Sequence, residues 1–397
     1  PAEFYAANMT IEADNTDKLR VLLADAKGFG IEFDAPDINR GSFRFEPVGP
    51  KKVRYGLGAV KGTGQGAIEA IVAAREGEGE RAGEGGGPFR SLFDFCARVD
   101  RQRVNKRVVE ALIKAGAFDS MHPEQAEGRS ALLASVGLAF DWAETQAANV
   151  LQVGLFDFAD GGDSHGSSTQ EPGLVHTATW GVRERLMQEK AALGFYLSGH
   201  LFDAWGDEVR RFVRQPLADL VDSREPQLLA GIVTDPRTVN GQRGRVVIFK
   251  IDDGSEAIEA VAPEELFEAQ RELAQEDQLI IAQGRLQPDR FTGGLRLNVS
   301  NVWDLPAARA RFARHLTVQV NGGLPPLADV LKLWPSRRVE TEHGTLRQGL
   351  TVRLRLKRRH AVAEIDLGDE ARFWPCDEAL VRWRSIAEGG DATVVYE

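Results

Sequence analysis

The run Gly56-Leu57-Gly58-Ala59-Val60-Lys61-Gly62-Thr63-Gly64-Gln65-Gly66 has the residue types that let backbone amides approach a phosphate. Three chemistries compete for it. A dinucleotide fingerprint needs Gly-x-Gly-x-x-Gly; Gly56 and Gly58 are present, but the third glycine is displaced to Gly62. A triphosphate loop needs Gly-Lys-Ser/Thr, whereas here Lys61 precedes Gly62. A helix-hairpin-helix turn fits better, with Gly62-Thr63-Gly64 opening a helix from Gln65 to Ala74. Amides at a helix N-terminus point at an anion, and the helix dipole favours negative charge there. An ordinary tight turn is the plain alternative.

Cations follow. Between residues 98 and 114, six of them (Arg98, Arg101, Arg103, Lys106, Arg107 and Lys114) stand against Asp100 and Glu110, a local net of +4. Arg103, Lys106 and Arg107 crowd the start of a helix whose Val108, Leu112 and Ile113 share one apolar face, and Gly116 ends it in Ala-Gly-Ala-Phe-Asp. Two short helical hairpins in tandem, one glycine-rich and one basic, make a sequence-independent grip on a DNA backbone. Its candidate contacts are Lys61, Gly62, Thr63, Gly64, Arg103, Asn105, Lys106, Arg107 and Gly116. A solvated basic helix is the competing account.

Gln152-Val153-Gly154-Leu155-Phe156 has the form Gln-x-x-Leu-Phe, expected after a helix and before a polar stretch. Exposed Leu155 and Phe156 are costly unless a partner's pocket takes them, as a short linear motif would arrange; local packing of the two is the alternative. Farther on, Arg243, Arg245, Arg290, Phe291 and Arg296 combine cations with an aromatic ring, the pairing that single-strand binding needs. Phe249 alternates within an apolar strand and reads as core.

Catalytic chemistry is scarce. The seven histidines are scattered without metal-ligand spacing, and no Asp-x-Asp sits on a strand-like segment, as a two-metal polymerase site would need. Asp252-Asp253-Gly254 reads as a turn, and Ser255 has no evident base. Cys96 and Cys376 are alone and far apart, which excludes a disulfide framework and a cysteine zinc site and implies a reducing, cytoplasmic setting. No apolar run reaches the roughly 20 residues of a membrane span, so no membrane partner is expected. The chain starts at Pro1, which hints at a fragment. Its net charge of −10 argues weakly against nucleic acid, because phosphate contacts are made by local patches and the acid excess lies elsewhere, as in 76–84 and 264–277.

The elements that must position these groups follow from periodicity. A chain of 397 residues predicts two to four domains. A helix from Thr16 to Lys27 has Asp14 and Asn15 as cap candidates, and helices are expected over Arg129 to Leu151 and Trp180 to Leu193, with a Gly/Ser-rich linker from Asp160 to Gly173. The segments 228–234, 245–252, 257–261, 278–286 and 295–302 read as strands, with one helix, 263–273, between the third and fourth and turns at Asn240-Gly241 and 289–294. That is the element order of an OB-fold, although an unrelated small barrel shares it. The last block reads strand (316–320), helix (327–334), two strands (350–357, 361–367), helix (377–386), strand (393–396), a βαββαβ order. The fold class is multidomain α+β.

Several stretches together resemble the C-terminal part of the bacterial C-family replicative polymerases, the DNA polymerase III alpha subunits. They are Asp14-Asn15-Thr16-Asp17-Lys18, Pro36-Asp37-Ile38-Asn39, Tyr55 through Gly62, Phe89-Arg90-Ser91-Leu92-Phe93-Asp94-Phe95, Asn105-Lys106-Arg107 through Asp119, and Glu189 through His200. The resemblance spans nearly the whole chain. It implies the end of the fingers region at 1–50, a tandem helix-hairpin-helix gripping duplex DNA at 51–125, and a clamp-binding region at 126–222 with a flexible linker at 157–179. An OB-fold near single-stranded template at 223–306 and a domain binding the tau subunit of the clamp loader at 307–397 would complete it. Gln152, Leu155 and Phe156 would then match the internal motif for the beta sliding clamp. The intact subunit would be a DNA-directed DNA polymerase, a nucleotidyltransferase, with its Mg2+ and catalytic carboxylates upstream of this inactive segment. Leu201 replaces the proline usual after Gly199-His200, and the loop 76–87 is longer than usual. An OB domain placed after the core separates the chain from the Gram-positive relative, and a developed C-terminal domain argues against the error-prone paralogue. A stand-alone nucleic-acid-binding protein is the second reading, and a nicotinamide-dependent enzyme built on the glycine run is the third.

Overall fold

The computed structural model describes residues 1–77, 86–121, 128–156, 170–223, 225–241, 244–288, 293–320, 326–341, 344–358 and 360–396, with backbone alone at 150–156, 340, 341 and 344. Two compact units divide it, Pro1–His200 and Leu201–Glu397.

The first unit opens with helices α1 (Ala2–Ile11) and α2 (Thr16–Gly28), the second capped as expected by Asn15, whose side chain accepts from the Lys18 N–H at 3.1 Å. A small sheet follows, of strands β1 (Glu32–Asp34), β2 (Glu46–Gly49) and β3 (Lys52–Arg54) in the order β1-β3-β2. Helices α3 (Gln65–Glu76), α4 (Leu92–Arg98), α5 (Lys106–Lys114), α6 (Gly128–Phe156) and α7 (Val182–Leu193) surround one core. At its centre the rings of Phe89, Phe95 and Phe118 meet edge to face, with centroids 4.9 and 5.0 Å apart. The sequence places a helix end near Leu151, but α6 continues to Phe156, so Gln152, Leu155 and Phe156 lie on helical backbone rather than after a helix.

The expected linker 157–179 is described only from residue 170. There the chain has no regular structure, yet it is tied down: the Val175 N–H donates to Ser135 Oγ at 2.8 Å and Thr177 Oγ1 to Ser130 Oγ at 3.1 Å. Leu174 packs on the core, and Ser91 Oγ donates to Glu171 at 2.7 Å. Polar composition predicted a loose tether because hydrogen bonds to residues 40 to 80 positions away leave no local signal.

The second unit begins earlier than the expected boundary at 222/223. Residues 201–222, with the short helix α8 (Gly206–Val209), pack into it: the buried Asp253 carboxylate accepts from Arg210 and, at 3.0 Å, from the Leu217 N–H. Burial opposes the charge of Asp253, but Ser255, Arg210 and two backbone amides outweigh it and hold the carboxyl below its usual range. Strands β4 (Gln227–Gly241), β5 (Gly244–Asp252), β6 (Ala257–Pro263), β7 (Leu279–Pro288) and β8 (Leu295–Trp303) close a barrel in the order β4-β5-β6-β8-β7. Alternation fills it: Val247, Phe249 and Ile251 of β5 point inward, as do Ile258, Ala260 and Ala262 of β6. The helix expected over 263–273 is two 3-10 turns, Glu264–Phe267 and Arg271–Ala274, which bury Phe267 and Leu273. Their acidic flanks supply helix-type residues, but only one apolar anchor per turn. β4 also runs through the Asn240-Gly241 turn position, with Gly241 paired to Gly244.

Helix α9 (Leu305–Phe312), capped by Asp304, leads to β9 (His315–Val320), α10 (Leu327–Leu333), β10 (Arg337–Thr341), β11 (Gly344–Gln348), β12 (Thr351–Arg358), β13 (Ala361–Asp366), α11 (Asp377–Ile386) and β14 (Ala392–Val395). The main sheet has the order β13-β12-β9-β14, and buried Phe373 and Trp383 pack against it. The hairpin β10–β11 is an insertion in the expected βαββαβ order. Its charged, exposed strands carry too little apolar alternation to announce themselves.

Candidate nucleic-acid interface

The first hairpin is built around Gly62, whose φ of +85° only glycine adopts readily. Thr63 shapes the same turn: its hydroxyl faces the carbonyls of Val60 at 2.6 Å and Leu57 at 2.8 Å, which engages its one proton inside the turn. Gly64 caps α3 without a side chain, and a Cβ on Gly64 or Gly66 would meet nothing within 4 Å. Gly64, Gln65 and Gly66 at the start of α3 are exposed, and so is Lys61. The Lys61 N–H donates to the Ala192 carbonyl at 2.8 Å, which fixes this turn to the end of α7.

In the second hairpin Asn105 is the cap of α5, its side chain accepting from the Val108 N–H at 3.1 Å. The cations beyond it differ in freedom. Arg103 lies 3.5 Å from Asp100; Lys106 lies 3.6 Å from Asp141 and over the Phe140 ring. Arg107 is exposed and has no partner among the described residues. Val108, Val109, Leu112 and Ile113 are buried beneath, so α5 must present its polar side outward.

Gly116 is a correction to the expected contacts. It is buried, at φ +86°, and a Cβ there would collide with the Arg129 guanidinium. Its work is to end α5 with Gly116 N–H on the Ile113 carbonyl (3.0 Å) and Ala117 N–H on the Leu112 carbonyl (2.9 Å), which no phosphate reaches.

Sequence reasoning missed Arg129. Its Nε donates to Asp119 at 3.0 Å, its Nη2 to the same carboxylate at 2.6 Å, and its Nη1 to the Lys114 carbonyl at 3.2 Å and to Glu189 at 3.5 Å. Glu189, only 1% exposed, also accepts the N–H groups of Leu197 and Ser198. Burial disfavours the Arg129 charge, but Asp119 and Glu189 outweigh that and raise its pKa. One ion cluster thus pins the end of the basic hairpin to the last turns of α7 and the segment after it. Its signal in sequence was the charged pair Glu189-Lys190 ahead of the run Ala191-Ala192-Leu193-Gly194-Phe195.

On the barrel four of the described strand cations are answered by acids. Arg245 lies 3.3 Å from Glu264, Arg296 3.9 Å and Arg237 3.2 Å from Glu259, and Lys250 3.2 Å from Asp235. Arg285 is exposed without a partner among the described residues. Phe249 is core, as its alternation required. Arg243, Arg290 and Phe291 lie outside the described residues.

Comparison with known proteins agrees with this division. Residues 30–128 match the helix-hairpin-helix motif family, and residues 228–305 match the OB-fold nucleic acid binding domain. The chain is 40% identical over 320 residues to the DNA polymerase III subunit alpha of Neisseria meningitidis serogroup B, covering 80% of this chain and 26% of that protein. Against the subunit of the same name from Pseudomonas aeruginosa it is 34% identical over 392 residues, 96% of this chain and 32% of that one. The Escherichia coli subunit is 34% identical over 329 residues, 81% of this chain and 27% of that one. The chain spans about a quarter to a third of the length of these curated relatives.

Proposed function

Because the chain is homologous over most of its length to the C-terminal region of the alpha subunit of bacterial DNA polymerase III, we propose that it is the non-catalytic, DNA- and partner-gripping region of such a subunit. The identity of 40% over 80% of the chain carries this reading. In the intact subunit it would serve a DNA-directed DNA polymerase whose catalytic carboxylates and Mg2+ lie upstream. The amides at Gly64 to Gly66 and the cations Lys61, Arg103, Lys106 and Arg107 would hold duplex phosphates without reading sequence. Thr63 and Asn105 would act by shaping the two helix starts.

The OB barrel would face single-stranded template through Arg245, Arg296 and the loops carrying Arg243, Arg290 and Phe291. Residues 307–397 would take the tau subunit of the clamp loader. Gln152, Leu155 and Phe156, at the last turns of α6, would engage the beta sliding clamp; at spacings of three and four, these positions share one helix face. Several weak attachments on one chain raise effective concentration and so lengthen residence on DNA.

Clamp binding by surface plasmon resonance tests the reading, comparing the parent chain with Leu155→Ala/Phe156→Ala. The expected loss is at least about ten-fold, roughly 1.4 kcal/mol. Equal binding by both, or by neither, would remove the clamp assignment.

A further inference from the structure

A cleft of about 500 Å³ in the second unit lies apart from the barrel residues considered above. Arg210, Arg211 and Arg214 line one side of it, and β14 through Tyr396 the other. Its walls are fixed from behind. Arg309 donates twice to the Glu208 carboxylate, at 2.7 Å each, and also to Asp377 at 2.6 Å and the Pro375 carbonyl at 3.0 Å. The Tyr396 hydroxyl donates to the same Glu208. The Phe212 ring, between Arg211 and Arg214 in the chain, stacks on Tyr396 and Phe312 with centroids 5.1 and 5.4 Å away. A site held this way needs little ordering when it binds.

Its two sides offer different groups. Arg210 is bonded to Asp253 and to the Gln215 carbonyl, and Arg211 and Arg214 reach the surface. Opposite them, β14 is the end strand of its sheet, so one edge has no strand partner among the described residues. The Gln319 N–H donates to the Asp391 carbonyl at 2.9 Å, and Asp391 and Val394 stand an odd number of residues apart. Alternation along an antiparallel pair therefore turns the N–H and C=O of Val394 away from β9, toward the open edge.

We propose that this cleft binds an extended acidic peptide, which adds to β14 as a further strand and sets carboxylates against Arg211 and Arg214. Phosphates of a nucleic acid would use the arginines but leave the strand edge unanswered; an acidic strand satisfies both. Arginine forks match carboxylates in pairs, which would fix the register of the added strand.

Fluorescence anisotropy on the full chain provides the test, with two labelled short peptides, one alternating Glu with Val and one alternating Lys with Val. The glutamate peptide should bind and the lysine peptide should not. Arg211→Glu/Arg214→Glu should weaken binding at least about ten-fold, while Arg211→Lys/Arg214→Lys keeps most of it with an unchanged melting temperature. Hydrogen exchange at the Val394 amide should slow when the glutamate peptide is bound. Binding unaffected by charge reversal, equal binding of both peptides, or binding of neither would overturn the proposal. So would an oligo-dT strand that displaces the peptide and whose own binding falls with the same double variant, since the cleft would then be a nucleic-acid groove.

Discussion

The two helical hairpins and the barrel both carry arginines, yet they use them differently. On the barrel, Arg237, Arg245, Arg296 and Lys250 each sit within 4 Å of Glu259, Glu264 or Asp235, which leaves Arg285 as the described strand cation without such a partner. In the hairpins Arg103 and Lys106 also lie near acids, but Lys61 and Arg107 are exposed, close in sequence to the starts of α3 and α5. A cation already paired must trade one anion for another on meeting DNA, and that exchange yields little. An unpaired one releases counterions from the duplex. Counting cations along the sequence would rank the regions as equals; their partners separate them.

The largest effect that would sharpen this contrast is on folding. Arg129 is the buried counterpart of the exposed hairpin cations, and Arg129→Ala leaves Glu189 charged inside the protein. The first unit should lose about 3–5 kcal/mol of unfolding free energy in urea titration. A loss below 1 kcal/mol would mean that Glu189 finds another partner or becomes neutral.

DNA affinity comes next. Lys61→Glu/Arg107→Glu should weaken duplex binding by at least about ten-fold near physiological salt, whereas Arg245→Ala/Arg296→Ala should change it by less than about three-fold. Equal losses would break the comparison.

Acid should then distinguish the units in the opposite sense. Burial raises the Glu208 carboxyl's pKa, but bonds from Arg309 and Tyr396 outweigh this, so Glu208, like Asp253, stays below its ordinary value. The unfolded second unit therefore binds protons at these groups before the folded one does. The stability they supply is complete above the ordinary carboxylate range, about pH 4–5, and is lost as pH falls below it toward the lower folded values. Circular dichroism during acid titration should show this loss, and Asp253→Asn should flatten it. Stability that rises on acidification through that range would contradict the assignment.

The smallest effect is at Thr63. Replacing it with Val removes a hydroxyl bond inside the turn and should cost about 1 kcal/mol in thermal melting. The salt dependence of DNA binding should not move.

What could be read from sequence was whatever repeats or caps. Asn15 and the apolar face of α5 appear where their spacing put them, and the five barrel strands follow from alternation. The positive-φ turn at Gly62 was legible because glycines cluster there for few other reasons. Gly116 misled because a helix-ending glycine looks the same whether phosphate or a guanidinium lies against it. The Asp119–Arg129–Glu189 cluster joins residues up to 70 positions apart and leaves no local pattern. The hairpin β10–β11 escaped for want of an apolar face, and α6 ran past its expected end because no proline stands in Asn149 to Phe156 and Gly154 costs a helix only about 1 kcal/mol.

The central claim is that exposed hairpin cations, rather than the barrel face, grip the duplex backbone. The most direct measurement is the salt dependence of duplex DNA affinity for the parent chain, Lys61→Ala/Arg107→Ala and Arg245→Ala/Arg296→Ala. Each lost phosphate contact lowers the slope of log affinity against log salt by about 0.9, so the hairpin variant should lose close to two and the barrel variant almost none. An unchanged slope in the hairpin variant, with a reduced one in the barrel variant, would contradict the account.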